Sequence, residues 1–313
     1  MTAATTTAVA LQPCPLCGAT DAGEVLRLRY SEIWDRLQSL TSARFTPDVI
    51  ERHTPQEDAT LYECRDCGLQ YFSPKVAGDA EFYRQLMGPA GYEPERWDFD
   101  VAAAKLAPGE SVLDIGCGEG AFLKKVALGG RRVVGIDHNV DAIERLGAGG
   151  IEAYAMSVEE AARVEREAFD VVCSFQTLEH LPEVDDLVRA ARECTRPGGR
   201  ILIGVPNRDR YARSDLEPYD CVPHHISRWS GEQLAALADR FDLELVGIER
   251  EPYVGRVERL FPRLVGERLG ARAAHAYRRR LLNPSHYAKA SNRQVGREIY
   301  GHGIVGEYRR PEA

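Results

Sequence analysis

The sequence contains no stretch of eighteen apolar residues, the length that a membrane-spanning helix requires. Its first ten residues are rich in Thr and Ala and have neither a basic segment nor a long apolar core. They are therefore not typical of a secretory signal. We expect residues 1–12 to be a disordered leader, and we expect no membrane partner.

The sequence also has fewer basic than acidic residues. The 40 Lys and Arg residues are outnumbered by 48 Asp and Glu residues, which gives a formal net charge of −8. This balance argues against a partner as polyanionic as nucleic acid. Cysteine, in contrast, occurs eight times. In a chain without a recognisable signal, this favours thiols or metal ligands in a reducing compartment, which we expect to be the cytoplasm.

The pattern G-x-x-x-x-G-K-[ST] is absent as well, which excludes a P-loop. A different glycine-rich stretch organises the chain. Val112, Leu113 and Ile115 are a short apolar run interrupted by Asp114. Three glycines at positions 116, 118 and 120 follow before a helical pattern begins. Glycine removes the side chain where a backbone turns sharply and approaches a ligand, and a helix N-terminus presents free amides. The stretch predicts a buried strand, a ligand-binding loop and a helix.

Asp114 indicates which type of cofactor this loop can bind. The spacing of the first two glycines and Ala121 also fits the loose dinucleotide fingerprint. A carboxylate at the strand tip would repel a pyrophosphate, but it can accept hydrogen bonds from a ligand ammonium group. Asp137, 21 residues after Gly116, lies where a strand-end carboxylate can bind both hydroxyls of a ribose. That second carboxylate is compatible with either type of cofactor.

Two copies of the pattern C-x-x-C-G occur in the N-terminal quarter of the chain. Each can form a tight knuckle in which two thiolates bind one ion, and two knuckles form a closed tetrahedral site that suits zinc. A thioredoxin-like redox pair would require only one such pattern, followed by a helix. We predict a small zinc ribbon over residues 13–78, with an amphipathic helical insert at residues 31–40. The predicted ligands are Cys14, Cys17, Cys64 and Cys67.

The stretch from Asp114 to Gly120, Asp-Ile-Gly-Cys-Gly-Glu-Gly, resembles motif I of the class I S-adenosylmethionine-dependent methyltransferases. A second resemblance to that family is the order F-D-V-V, L-E-H-L, R-P-G-G-R and V-P-N between residues 169 and 207. With the cysteine pairs added, the chain resembles the variety that carries an N-terminal four-cysteine zinc ribbon and acts in bacterial sugar and natural-product pathways. The resemblance covers residues 14–74 and 90–308.

This resemblance implies an α/β fold over residues 79–313: a Rossmann-like, seven-stranded sheet with helices on both faces, joined to the small zinc-ribbon domain. It implies S-adenosylmethionine as the cofactor. The zinc ion would be structural, because four thiolates leave no open position. The cofactor-binding residues that it implies are Asp114, Gly116, Gly118, Gly120, Asp137, His138, Ser157, Phe175 and Gln176.

Two adjacent histidines, His224 and His225, follow the fifth predicted strand, residues 201–205. They fall at the carboxyl edge of the sheet, where α/β proteins bind ligands. Imidazole titrates near neutral pH and can take a proton from a hydroxyl as a methyl group arrives, so either residue is a candidate general base. The pair could instead only hydrogen-bond and fix a loop. For Glu179 and His180, a structural role is at least as good an interpretation as catalysis.

We therefore expect O-methylation of a sugar, a sugar nucleotide or a secondary metabolite by in-line methyl transfer, with C- and N-methylation left open. Two other functions remain possible: methylation of RNA, and a non-enzymatic regulatory role that binds S-adenosylmethionine or a metabolite. The basic helical pattern at residues 256–282 is typical of a solvated helix face or an oligomer contact.

Overall fold

The computed structural model describes residues 11–41, 43–88, 95–127, 130–210, 216–252 and 300–312. Residues 1–10 of the expected leader and the proposed oligomer contact at 256–282 lie outside these ranges. Within them, no helix is both long enough and apolar enough to cross a membrane.

Strands and helices alternate along the chain between residues 112 and 206. The strands are β1 Ala22–Arg29, β2 Asp58–Cys64, β3 Gln70–Ser73, β4 Val112–Ile115, β5 Val133–Asp137, β6 Glu152–Ala155, β7 Phe169–Phe175, β8 Thr195–Pro206, β9 Ser227–Arg228, β10 Glu244–Pro252 and β11 Tyr300–Arg309. The helices are α1 Tyr30–Leu40, α2 Pro47–Arg52, α3 Ala80–Met87, α4 Trp97–Lys105, α5 Ala121–Val126, α6 Val140–Ala148, α7 Val158–Val164, α8 Asp185–Cys194 and α9 Gly231–Arg240.

The larger sheet has seven strands in the order β10-β11-β8-β7-β4-β5-β6. Strands β4 to β8 run parallel, whereas β11 is antiparallel to both β8 and β10. The predicted α/β, Rossmann-like seven-stranded fold is confirmed. Because parallel strands end at one edge, the loops after β4, β5 and β7 meet there.

Helices cover both faces of this sheet, and the residues of β4 alternate between the two. Leu113 and Ile115 belong to one core cluster, which also contains buried residues of α7, α8 and α9. Val112 belongs to another, with buried residues of α4, α5 and α6. Since successive side chains of a strand point to opposite faces, this division follows from an apolar strand with cover on both sides.

The smaller sheet has the order β1-β2-β3-β9, and all of its strand pairs are antiparallel. Its fourth strand comes from the far side of the predicted domain boundary: Tyr71 pairs with Ser227, and Gln70 pairs with Arg228. The core continues across the same boundary, because Tyr71 and the two buried knuckle cysteines share a cluster with Trp229. The N-terminal region therefore shares a sheet and a core with residues beyond the predicted boundary at residue 79.

Candidate functional site

The glycine loop after β4 is held tightly on two sides. Both Gly116 and Cys117 donate their backbone N–H to the Ile136 carbonyl, at 2.9 and 3.1 Å. Gly116 has a φ of +78°, and a Cβ added there would lie 2.4 Å from Thr177 Oγ1. Gly120, at φ +72°, would place a Cβ 2.4 Å from a methyl group of Leu146. At these two positions glycine is required both by the backbone angle and by the space.

Asp114 is the buried carboxylate at the tip of β4, with only 3% of the residue exposed. Its Oδ1 has no hydrogen-bond partner among the described residues. Burial raises the pKa of this carboxyl to about 8, against an opposing effect of Arg96. A buried carboxylate oxygen without a partner is costly, and a ligand ammonium group would satisfy it. The residue therefore fits the amino-acid part of S-adenosylmethionine.

Asp137, at the end of β5, holds the glycine loop from the other side. Its Oδ2 accepts a hydrogen bond from Gly118 N, and its Oδ1 accepts one from Asn139 N, both at 2.8 Å. Asn139 itself caps α6 by accepting from Ala142 N. Asp137 is thus not needed as a helix cap, and each of its oxygens keeps a lone pair that can accept a ribose hydroxyl.

The other predicted cofactor residues surround this loop in different ways. His138 is exposed beside Asp137. The Ser157 hydroxyl caps α7 by accepting from Glu160 N at 3.2 Å. The Phe175 ring is buried against other aromatic rings, with its centroid 4.9 Å from that of Phe122. These contacts are structural, and a cofactor role for these three residues stays a prediction.

Gln176 directly follows β7, in the segment between the glycine loop and the predicted catalytic histidines. Its φ of +52° is unusual for a residue with a side chain. Its Nε2 donates to Asp98 Oδ2 at 3.4 Å, and Asp98 is ion-paired with Arg96. The next residue, Thr177, packs on Gly116. The short segment after β7 therefore starts beside the glycine loop and extends toward the predicted catalytic histidines.

The predicted pair, His224 and His225, is buried and stacked, with ring centroids 4.2 Å apart. A third histidine joins them, because the ring centroid of His180 lies 4.9 Å from each of theirs. One ring nitrogen from each of the three lies within 4.8 Å of the others. Glu179 is also present and fully buried: its Oε1 lies 3.7 Å from His180 Nε2 and 3.9 Å from His225 Nε2.

The second ring nitrogen of each histidine faces an oxygen of the protein. His224 Nδ1 lies 2.8 Å from the Tyr219 carbonyl, and His180 Nδ1 lies 2.5 Å from the His224 carbonyl. His225 Nδ1 is 3.9 Å from Asp220 Oδ1. Since a carbonyl can only accept, Nδ1 of His224 and His180 carries the hydrogen and Nε2 carries the lone pair.

Burial sets the protonation of this cluster. It lowers the pKa of His225 to about 4 and that of His180 to about 3, and it lowers the pKa of His224 as well. Burial also raises the pKa of Glu179 to about 8. The histidines are consequently neutral near pH 7. The motif L-E-H-L marked Glu179 and His180 in the sequence, but nothing in it showed that they meet a histidine pair more than forty residues away.

The four predicted zinc ligands come together at the two knuckles. Cys14 Sγ lies 3.6 Å from Cys67 Sγ, Cys17 Sγ lies 3.5 Å from Cys64 Sγ, and all four sulfurs lie within 4.8 Å of one another. Thiolates at the usual 2.3 Å from zinc would be separated by about 3.8 Å at the corners of a tetrahedron. This donor set therefore fits a structural zinc ion.

Side chains from beyond the predicted domain boundary hold the second knuckle. Gln233 Nε2 donates to the Cys67 carbonyl at 2.8 Å, and Arg208 Nη1 donates to the Gly68 carbonyl at 2.7 Å. Gln233 also completes the capping box at the start of α9 with Ser230. The knuckle is thus fixed to segments on both sides of the loop that contains His224 and His225 (the histidine loop): Arg208 precedes this loop, and Gln233 follows it.

Comparison with known proteins gives one family match. A family model described as "Methyltransferase domain" matches residues 92–248. This range includes the glycine loop, both strand-end carboxylates and the histidine cluster, and it makes up half of the chain. The cysteine knuckles lie before it.

Individual relatives match a shorter part of the chain. A ubiquinone biosynthesis O-methyltransferase of Sodalis glossinidius is 35% identical over 122 residues, which are 37% of this chain and 49% of that protein. The protein of the same name from Chromobacterium violaceum is 36% identical over 125 residues, 38% and 53% of the two chains. The chain thus spans about half the length of these curated relatives.

Among solved structures, the crystal structure of a SAM dependent methyltransferase from Archaeoglobus fulgidus is 19% identical to the chain. The superposition has a TM-score of 0.49 and covers 74% of this chain and 100% of that one.

Proposed function

The chain belongs to the methyltransferase-domain family, and on this premise we propose that it transfers a methyl group from S-adenosylmethionine to a hydroxyl oxygen of a small-molecule acceptor. The observation that carries the proposal is Asp114, a buried carboxylate with an unpartnered oxygen at the tip of β4. An ammonium group would supply that oxygen with a charged hydrogen-bond donor. The glycine loop beside it lets a ligand approach the backbone closely.

The chain's own residues would bind and orient the cofactor. Asp114 would accept from the amino group, and Asp137 would accept from the two ribose hydroxyls while it continues to hold Gly118. When bound, S-adenosylmethionine supplies a methyl group on a positively charged sulfur. Transfer of that group is an in-line displacement, so the protein's main contribution is to position the acceptor and exclude water.

His224 is the better of the two predicted bases. Its Nδ1 hydrogen is directed at the Tyr219 carbonyl, which leaves the lone pair on Nε2. His225 Nε2, in contrast, faces the Glu179 carboxyl group at 3.9 Å. We propose that His224 Nε2 accepts the acceptor's hydroxyl proton as the oxygen–carbon bond forms.

The relatives support oxygen as the methylated atom, because two of them are named as O-methyltransferases. We retain a sugar, a sugar nucleotide or a secondary metabolite as the proposed acceptor class. This part rests on the resemblance of the four-cysteine region and the H-H-x-S-R-W segment at residues 224–229 to methyltransferases of sugar and natural-product pathways. The cysteine site would contribute structurally, with Cys14, Cys17, Cys64 and Cys67 holding the zinc ion.

Calorimetric titration with S-adenosylhomocysteine tests the cofactor assignment. We expect the zinc-loaded protein to bind it with micromolar affinity, about −8 kcal/mol. Asp137→Ala removes a charged acceptor whose hydrogen bonds are worth roughly 1.5–3 kcal/mol each, so binding should weaken at least ~10-fold. Asp141→Ala, an exposed carboxylate on the following helix, is the matched control and should bind as the wild type does.

The outcomes of this titration are distinct. If the wild type fails to bind S-adenosylhomocysteine but binds a nicotinamide or flavin cofactor, the interpretation of the glycine loop as an S-adenosylmethionine site is wrong. Tight binding without methyl transfer to any extract-derived acceptor would favour the regulatory alternative instead.

A further inference from the structure

Glu179 has no partner that explains its complete burial. The residue is 0% exposed, and neither carboxylate oxygen has a hydrogen-bond partner among the described residues. Taking a carboxylate out of water without a partner costs several kcal/mol, so such groups usually pair with a cation or coordinate a metal. Two imidazole nitrogens lie close to its Oε1: Nε2 of His180 at 3.7 Å and Nε2 of His225 at 3.9 Å.

The two imidazoles have the arrangement of metal ligands. Histidines that bind a metal through one nitrogen almost always donate the other N–H to a carbonyl or a carboxylate. His180 directs Nδ1 at the His224 carbonyl, and His225 directs Nδ1 toward Asp220. The ring planes of His180 and His225 cross at 66°, so in-plane lone pairs on their Nε2 atoms can converge.

The third histidine of the cluster is a poor ligand for the same ion. The His224 ring stacks on that of His225 with an interplanar angle of only 24°. Lone pairs lie in the ring plane, and those of two stacked rings do not meet at one point. His224 is therefore left in position to accept a proton, as in the proposed function.

We propose that Glu179, His180 and His225 bind one divalent transition-metal ion next to the methyl-transfer site. Two imidazoles and one carboxylate form a mixed nitrogen and oxygen site that suits ions such as Fe²⁺, Mn²⁺, Co²⁺ or Zn²⁺ and leaves coordination positions open. Ligands at about 2.1 Å from an ion lie roughly 3.0–3.4 Å apart, so the observed 3.7 and 3.9 Å separations need to close by about 0.3–0.9 Å.

The catalytic role of this ion rests on the proposed function, whereas the binding of the ion does not. An acceptor with two neighbouring oxygens would fill adjacent open positions, and contact with the ion would lower the pKa of the hydroxyl to be methylated. His224 would take the proton. The oxygen would then bond to the methyl carbon, while the carbon–sulfur bond breaks and its electron pair stays on sulfur. The ion therefore favours a vicinal diol as the acceptor class.

Titration of the zinc-loaded, full-length protein with Co²⁺ tests the site. A nitrogen and oxygen site gives Co²⁺ visible d–d bands without the thiolate charge-transfer absorption that a cysteine site produces. We expect one equivalent of Co²⁺ beyond the zinc. Its affinity should fall at least tenfold in Glu179→Gln and in His225→Gln, and it should be unchanged in Glu232→Gln, an exposed carboxylate on α9.

Two readouts keep the test decisive. If the variants misfold, as reported by loss of bound zinc, the wild type alone decides through its imidazole N–H resonances. We expect Co²⁺ to shift two of these resonances, and the absence of such shifts would overturn the proposal. S-adenosylhomocysteine titrated in the same samples separates the two proposals. Binding of S-adenosylhomocysteine without one equivalent of Co²⁺ beyond the zinc overturns only the metal site, and Co²⁺ binding without S-adenosylhomocysteine binding overturns only the proposed function.

Discussion

Binding of S-adenosylhomocysteine should release a proton from Asp114. In the ligand-free protein, burial raises the pKa of this carboxyl to about 8. The group is therefore mostly protonated at pH 7, and it must ionise to accept a charged hydrogen bond from the ligand's ammonium group. The adjacent positive charge lowers the carboxyl pKa well below 7. Proton release then equals the fraction of Asp114 that was protonated before binding.

The magnitude follows from that pKa. About 0.9 proton should leave at pH 7 and about 0.5 at pH 8, because a group is half protonated at its pKa. The sign follows too: only the ionised form binds well, so affinity rises with pH up to the ligand-free pKa. The apparent association constant should increase about fivefold from pH 7 to pH 8, as the ionised fraction grows from about 0.1 to about 0.5.

Calorimetry in two buffers measures this release directly. The difference in observed enthalpy between phosphate and Tris, divided by the difference in their ionisation enthalpies, gives the number of protons. Asp114→Asn preserves the shape of the side chain but has no proton to lose, so its heat should not depend on the buffer. Asp141→Asn should behave as the wild type does. Equal heats in both buffers for the wild type at pH 7 would refute the raised pKa of Asp114, and undiminished release in Asp114→Asn would assign the proton to another group.

Two further predictions concern the proton acceptor and the cysteine site. His224→Gln should lower kcat about 10²–10⁴-fold with an accepted substrate and leave the Kd for S-adenosylhomocysteine unchanged; full activity would remove His224 as the base. Cys67→Ser should lose the zinc ion and, because metal binding contributes directly to folding, unfold at a clearly lower temperature than the wild type. An unchanged melting temperature and full zinc content would contradict this.

Local patterns were sufficient to predict much of the site. The residues that define each C-x-x-C-G knuckle and the glycine loop are close together in the sequence, so a local pattern identifies them. The fold brings all four thiols together. Gly116 is a clear example, because its left-handed φ and the close approach of Thr177 both exclude a side chain. The position of Asp114 at a strand tip followed from the apolar residues on either side of it.

Contacts between distant segments could not be predicted in this way. The assembly of Glu179 and His180 with His224 and His225 depends on how the loop after β7 packs against the loop before β9. A backbone hydrogen bond from Ile226 N to the Glu179 carbonyl, at 2.8 Å, fixes that packing. The sequence contains each residue but not the distance between them.

The length of β8 has a similar explanation. The predicted strand at 201–205 proves to begin at Thr195, although Pro197, Gly198 and Gly199 are typical of a turn. Gly198 N donates to the Arg310 carbonyl, and Arg310 N donates to the Gly199 carbonyl. Pairing with the end of the chain therefore overrides the local preference, as tertiary contacts commonly do in sheets.

Strand β9 connects the cysteine-containing region to the histidine loop. A fragment that begins at residue 79 would lose β3, the only described partner of Ser227–Arg228, and would expose Trp229 to water. The histidine loop, which ends where β9 begins, would then lose the strand pairing beside it and keep the hydrogen bond from Ile226 N to the Glu179 carbonyl. An exchange of this region between related chains would therefore have to carry residues 218–233 with it. The knuckles and the histidine loop are thus structurally interdependent, although most of the methyltransferase domain lies between them in the sequence.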